Sequence, residues 1–402
     1  MSDFTFIDLF CGIGGFHQAM ASLGGHCVFA SDIDKDCRAT YLENYGLEPD
    51  GDITKVDEHD VPDHDVLCGG FPCQAFSKAG KQLGFMDETK GTLFFDIMRI
   101  VRAKRPKYIL LENVRNLASH DNGNTWRTIR RALREADYDV YDEPTIFSPH
   151  YLGIPQHRER VFIMAIRNDI GHMPEFKFDT TNIEKCSIWD VLEVRTDKKY
   201  NLSDDEIALL SHWNRFIRST RTSDGKLPGF PIWTEYLTNT VIPTARTLPK
   251  WKLDIIYKNI DYYLNNRWFI DKWLKEGKKV KLFFGAKAKF EWQCGFDDLE
   301  PNIFNNIIQF RPSGVRVKPG TYFPALVAIV QKSIIGSRFR YMTPRECARI
   351  QGFPEDFIIN KCDSKAYRQF GNSVNVDVVR LFAEFLLDIG NTRQRYTEHT
   401  LF

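Results

Sequence analysis

An apolar, β-rich run, Phe4–Phe10, ends in Cys11-Gly-Ile-Gly-Gly15 and passes straight into a helical pattern over Phe16–Leu23. Glycines at such a strand-to-helix turn let the backbone close on a ligand at the helix N-terminus, where unpaired N–H groups point outward. The spacing is not G-x-G-x-x-G, which argues against a dinucleotide site of the dehydrogenase kind. The rhythm then repeats. Val28–Ile33, Asp65–Cys68, Tyr108–Leu111 and Val161–Ile166 read as further strands, and Phe94–Arg102 and Trp126–Glu135 as helices. Phe94, Ile97, Met98 and Val101 share one face of the first of these helices, as the 3.6-residue period requires. Strands alternating with helices predict an α/β fold with a mostly parallel, doubly wound sheet.

Past residue 178 the pattern changes. Seven of the eight tryptophans lie between Trp189 and Trp292, mixed with Lys and Asn and without a strand–helix rhythm. Most of them are expected in a core. The helical pattern returns at Thr343–Gln351 and Val376–Leu387, and Thr343 with Glu346 has the spacing of a capping box. A chain of 402 residues has room for two or three domains. The expected division is an α/β part over 1–178, a smaller irregular domain over 179–338, and a segment, 339–402, that completes the first part.

The net charge of +1 selects no partner. Its distribution says more: residues 31–65 hold twelve acidic and three basic side chains, and residues 246–289 twelve basic and four acidic ones. The second stretch is a place to look for a nucleic-acid face, against the commoner reading of a solvated helix. Nine cysteines without a CxxC pair or zinc-ligand spacing suit reduced thiols, and no metal site is expected. With no leader pattern and no apolar run of about 18 residues, an intracellular protein with no membrane span is expected.

The chemistry concentrates in short motifs. In Gly69-Gly-Phe-Pro-Cys-Gln-Ala-Phe-Ser77, Cys73 follows a proline in a loop just beyond a strand. A free cysteine is only a few per cent thiolate at pH 7, so a nucleophile there needs a cationic or hydrogen-bonding neighbour. A cysteine taken alone is more often a small buried hydrophobe. Glu112 ends the next strand, and parallel neighbours bring their carboxyl ends to one edge, so it can converge with Cys73. Gln156-His-Arg-Glu-Arg160 places two guanidinium groups at alternate positions before the last strand, suited to phosphate, to a thiolate-proximal charge, or to a surface ion-pair lattice. Asp32, ending the second strand, is either a grip for ribose hydroxyls or a helix N-cap. Gln369-Phe-Gly-Asn-Ser-Val374 precedes the last helix as a polar turn.

In order and spacing these segments resemble the motifs of the cytosine-5 DNA methyltransferases, especially the small bacterial enzymes of restriction–modification systems. The similarity covers residues 1–170 nearly continuously and returns at Tyr341–Val374. The resemblance implies a Rossmann-like, S-adenosylmethionine-dependent fold, with S-adenosylhomocysteine as product and no metal. It assigns Phe10, Gly12 and Gly14 to the methionine end of that cofactor, Asp32 to the ribose and Ile33 to the adenine face. Asp52 and Ile53 fall at the adenine edge, Pro72 and Leu93 at the pocket walls, and Asn372 and Val374 close the same pocket. Cys73 is the implied nucleophile, Glu112 the acid on the cytosine N3 edge, and Arg158 and Arg160 the arginines holding the base oxygen and the backbone near the nucleophile. Ser77, Lys78 and Lys81 match a loop that closes over DNA, and the middle domain would recognise the target.

The implied partner is double-stranded DNA, met by a cytoplasmic monomer that shares its site with a cognate restriction endonuclease without a stable complex. A water and a side chain remain equal candidates for removing the C5 proton. Two other readings stand beside this one: a tRNA cytosine-5 methyltransferase and a catalytically inactive DNA-binding regulator.

Overall fold

The computed structural model describes residues 4–72, 93–181, 183–238, 248–328 and 332–388. Cys73, Ser77, Lys78 and Lys81 lie outside the described residues. The chain divides into two compact units, Met1–Cys186 with Cys347–Phe402, and Ser187–Glu346.

The first unit is built on a seven-stranded sheet. Its strands are β1 (Phe4–Leu9), β2 (Gly25–Ser31), β3 (Val66–Gly69), β4 (Tyr108–Val114), β5 (Tyr138–Val140), β6 (Thr145–Phe147) and β7 (Arg160–Arg167). The order is β2-β1-β3-β4-β7-β5, with β6 also on β7. Strands β2, β1, β3 and β4 are parallel, while β7 runs antiparallel to β4 and takes β5 and β6 antiparallel on its other side. The direction of β7 is a refinement of the parallel expectation with a physical cause. A helix over Asn124–Glu135 crosses over from β4 to β5, which runs the same way as β4; between β5 and β7 no such helix occurs among the described residues, and the chain returns as β7, antiparallel between the two. Its start, with Arg158 and Arg160 beside it, therefore reaches the edge where the parallel strands end.

The helices α1 (Gly15–Ser22), α2 (Lys35–Tyr45), α3 (Leu93–Lys104) and α4 (Asn124–Glu135) connect these strands. Helix α3 buries Phe94, Ile97, Met98 and Val101, the face read from the sequence. Together with Leu9, Leu67, Leu111 and Ile163 from the sheet they form a continuous core. Because β1 is followed by β2 on one side and β3 on the other, the order reverses there, and ligands of open α/β sheets bind outside the strand ends at such a point.

The second unit has more regular structure than its sequence rhythm suggests. Strands β8 (Ile232–Trp233), β9 (Lys289–Trp292), β10 (Ile307–Arg311), β11 (Gly314–Lys318), β12 (Ser333–Ile335) and β13 (Arg340–Tyr341) form a sheet in the order β13-β12-β10-β11-β9-β8. Helices α5 (Asp204–Ser219) and α6 (Lys250–Gly277) accompany it. A capping box at Ser203 and Glu206 starts α5. Trp213, Trp273 and Trp292 are fully buried, but Trp189, Trp251 and Trp268 are exposed. The expectation that most tryptophans sit in the core is thus corrected, since α6 carries Trp251 and Trp268 on its outer side.

Helices α7 (Pro344–Ile350), α8 (Asp363–Asn372) and α9 (Val376–Leu387) end the described chain. The Glu346 N–H donates to Thr343 Oγ1 at 3.2 Å and the Thr343 N–H to Glu346 Oε2 at 2.8 Å, the reciprocal bonds of the predicted capping box. Helix α9 is buried along most of its length and packs on α1. The Gln369–Val374 segment closes α8 before leading into α9. No helix among the described residues is long and apolar enough to cross a membrane.

Candidate active site

A cavity of about 470 Å³ lies at the carboxyl ends of β1–β4. Its first wall is the turn after β1. Phe10 and Gly12 adopt left-handed backbone angles, φ 56° and 54°, and Gly14 caps α1 at φ 84°. A side chain at Gly14 is excluded twice over, by that angle and because a Cβ would meet the Tyr45 ring at 2.2 Å. Phe10 and Gly12 line the cavity; Gly14 is not among its lining residues, its place being taken up by the contact with Tyr45. Tyr45 also donates from its hydroxyl to the Gly14 carbonyl at 3.0 Å and lies within 3.3 Å of the Ile13 carbonyl. No motif singles out this residue. Its place one position before the glycine that caps α2 is the only sequence signal.

The second wall comes from the end of β2. Asp32 accepts the Gly12 N–H at 2.8 Å and the Asp34 N–H at 2.7 Å, while Asp34 accepts the N–H groups of Asp36 and Cys37 as the N-cap of α2. The two readings of Asp32 therefore separate: the cap is Asp34, and Asp32 stays at the cavity tied to the glycine turn. Burial pushes the Asp32 carboxyl up, against those two backbone bonds. Ile33, although apolar, is 74% exposed and lines the same space. Asp52 and Ile53 line it as well, and Asp52 is held below the usual range by the Thr54 hydroxyl and N–H. An exposed aliphatic surface, a carboxylate at fixed distance and a turn of bare backbone are the elements a nucleoside needs: a flat apolar seat and polar grips at its edges.

The third wall holds Glu112, Arg158 and Arg160. Glu112 and Arg160 are diagonal neighbours across the β4–β7 pair, where Glu112 faces Phe162 and Val114 faces Arg160. Arg160 Nε lies 2.8 Å from Glu112 Oε1. Burial raises the Glu112 pKa, opposed first by Arg160 and then by Arg158. Burial, then the charge of Arg160, pushes Arg158 down to about 9, which leaves it a cation at neutral pH. Asn113 donates to the Phe71 carbonyl at 2.8 Å and so holds the backbone just before Pro72, which reaches the cavity. Leu93, Asn372 and Val374 complete the lining. A Cβ on Gly15 would meet Val374 Cγ2 at 2.6 Å and Ser373 Oγ at 2.8 Å, so the end of the chain lies directly on the first turn. Among the described residues no group of His, Cys, Asp and Glu is arranged to hold a metal.

The family model for C-5 cytosine-specific DNA methylases matches residues 4–387. Among curated proteins, the type II methyltransferase M.HhaI of Haemophilus parahaemolyticus is 33% identical over 95% of this chain and 94% of its own length. M.AluI of Cellulosimicrobium cellulans is 35% identical over 94% and 90%, and M.HpaII of Haemophilus parainfluenzae 34% over 96% and 90%. Among solved structures, the S. pombe Dnmt2 methyltransferase superposes with a TM-score of 0.54 at 19% identity, covering 97% of this chain and 100% of that one. At that identity the likeness is one of fold.

Proposed function

The chain belongs to the C-5 cytosine-specific DNA methylase family, and on that premise we propose that it moves a methyl group from S-adenosylmethionine to C5 of a cytosine flipped from a short duplex DNA site. The single observation that carries this reading is one cavity lined both by Asp32 and Ile33 and by Glu112 and Arg160. The residues present fit the cofactor. Phe10 and Gly12 would border its methionine end, Asp32 would grip the ribose hydroxyls, and Ile33 would lie on the adenine, with Asp52 and Ile53 at its edge. Pro72, Leu93, Asn372 and Val374 would close the walls. S-adenosylmethionine supplies an electrophilic methyl group.

The protein's part is to make C5 nucleophilic. The Cys73 thiolate would attack C6, forming an S–C6 bond and an enamine-like ring. Glu112, whose pKa burial raises, would donate to N3 in its protonated form and neutralise the charge that develops there. Arg160, fixed by its pair with Glu112, would hold the base oxygen. Once C5 has taken the methyl group, loss of the C5 proton and β-elimination break the S–C6 bond and free Cys73. A base stacked in a duplex cannot reach such a cavity, which requires flipping. Lys78, Lys81 and Ser77 would touch the DNA backbone, while residues 179–338 would act as the target-recognition domain. We assign the protein to the cytoplasm of a prokaryotic cell, acting as a monomer that protects host DNA from an endonuclease of the same specificity.

Methyl transfer measured in parallel on duplex DNA and on tRNA tests the reading, with bisulfite sequencing of the DNA to locate the site. Labelled methyl groups should enter DNA at C5 of cytosine. Activity confined to tRNA, or absent with both, would sink it.

A further inference from the structure

The segment Gly371–Val374, the last two residues of α8 and the two beyond them, forms a wall of the cavity at a helix end, where the last carbonyls have no partner inside the helix. Two buried side chains supply the missing donors. Arg158 Nη2 donates to the Gly371 carbonyl at 3.1 Å and to the Ser373 carbonyl at 2.7 Å. Gln351 Nε2 donates to the Phe370 carbonyl at 2.8 Å and to the same Ser373 carbonyl at 3.2 Å. The Val376 N–H returns to the Gln351 carbonyl at 2.8 Å, and Asn375 Nδ2 donates to the Ile350 carbonyl at 3.0 Å. A buried cation at a helix C-terminus faces the negative end of the helix dipole, which accounts for Arg158 being 3% exposed. The clamped carbonyls flank Asn372, and beside them Val374 and Ser373 press on Gly15. The strap is therefore packed on the glycine turn on one side and tied by two donors on the other.

We propose that Arg158 and Gln351 are positioning residues for the cofactor: together they clamp the Gly371–Val374 strap against the Gly12–Gly15 turn, so that loss of either loosens the hold on S-adenosylmethionine. For Arg158 this is a task beyond the base-side role given above, and for Gln351 it is the only one. The inference rests on the cofactor reading of this cavity.

Calorimetric titration of the full chain with S-adenosylhomocysteine reads the effect without turnover. Gln351→Met, similar in volume but without donors, should raise Kd roughly tenfold, the loss of one or two buried hydrogen bonds. KM for S-adenosylmethionine should rise by a similar factor while KM for duplex DNA does not follow. Arg158→Lys keeps the charge but lacks the planar fork, and should raise the same Kd. In the wild-type protein, S-adenosylhomocysteine should slow exchange of the Ser373 and Val376 amides, a check that needs no variant. Wild-type affinity in Gln351→Met, an equal rise in the DNA KM, or no added protection at Ser373 and Val376 would each overturn the clamp. A wild-type chain that binds no S-adenosylhomocysteine fails the cofactor reading itself and this proposal with it. That result is distinct from one in which wild type and variants bind alike.

Discussion

Two arginine–glutamate pairs, one in each unit, are built on opposite lines. In the unit Ser187–Glu346, Glu346 is saturated: Arg340 donates twice, at 2.9 and 2.6 Å, and the N–H groups of Thr343 and Glu193 each donate at 2.8 Å. In the other unit, Glu112 has one close approach from Arg160 at 2.8 Å, and its Oε1 is left without an aligned hydrogen bond. Breaking a buried pair is costly because it strands a charge, so the saturated pair works as a fastener. The under-coordinated one keeps capacity for a ligand that completes it. The contrast extends to their surroundings. The first unit also leaves side-chain polar atoms of Ser31, His64 and Gln156 buried without a hydrogen bond; in the second, only His212 Nε2 is so placed among the described residues. Such atoms cost roughly 1–3 kcal/mol each. That cost concentrates in the unit that carries the cavity.

The largest expected effect lies on the reactive side. Cys73→Ser should lower single-turnover methyl transfer by roughly a thousandfold or more, and methylation that survives it would remove the nucleophile from the scheme. Next comes a crossed pair of substitutions that bears directly on the two glutamates. Glu346→Ala should cost about 3–5 kcal/mol in urea unfolding. Glu112→Gln should leave stability equal or higher while lowering kcat/KM by about 10²–10⁴. If Glu112→Gln destabilised the fold as much as Glu346→Ala, the distinction between fastener and reactive pair would be lost.

The raised pKa of Glu112 gives the pH dependence its sign. At low pH the folded and unfolded chains both carry the proton, and Glu112 contributes no slope. As pH rises past the ordinary carboxylate value, the unfolded chain ionises first, so stability falls until the folded group ionises too. Activity that needs the protonated acid declines over the same upper limb. Both the stability slope and the rate limb should vanish in Glu112→Gln; a limb that persists there belongs to another group. The smallest effect is Tyr45→Phe, which removes the hydroxyl bonds to the glycine turn. A rise of a few-fold in KM for S-adenosylmethionine is expected, about 1 kcal/mol; an unchanged KM would confine Tyr45 to filling the space beside Gly14.

Much of the first unit was legible because its signals are local. Alternation and glycine punctuation located β1, its turn and α1, the face Phe94–Val101 followed from helical period alone, and helix Val376–Leu387 lies where its apolar pattern put it. Thr343 and Glu346 announced their capping box because both partners sit within one turn. Family order supplied Glu112, Asp32 and the two arginines as candidates, and ten of the eleven positions expected at the cofactor line one cavity. Only the folded chain separated Asp32 from the cap at Asp34, reversed the direction of β7, and brought Arg158 to carbonyls 213 and 215 residues away. No motif singles out Tyr45 or Gln351, because their partners are backbone carbonyls, which every residue type carries alike. Sequence determines which side chains can do chemistry and where local elements begin. Which carbonyl a distant donor finds, and which glutamate is saturated or left open, is decided by tertiary packing, since both depend on groups that meet only after the chain has folded.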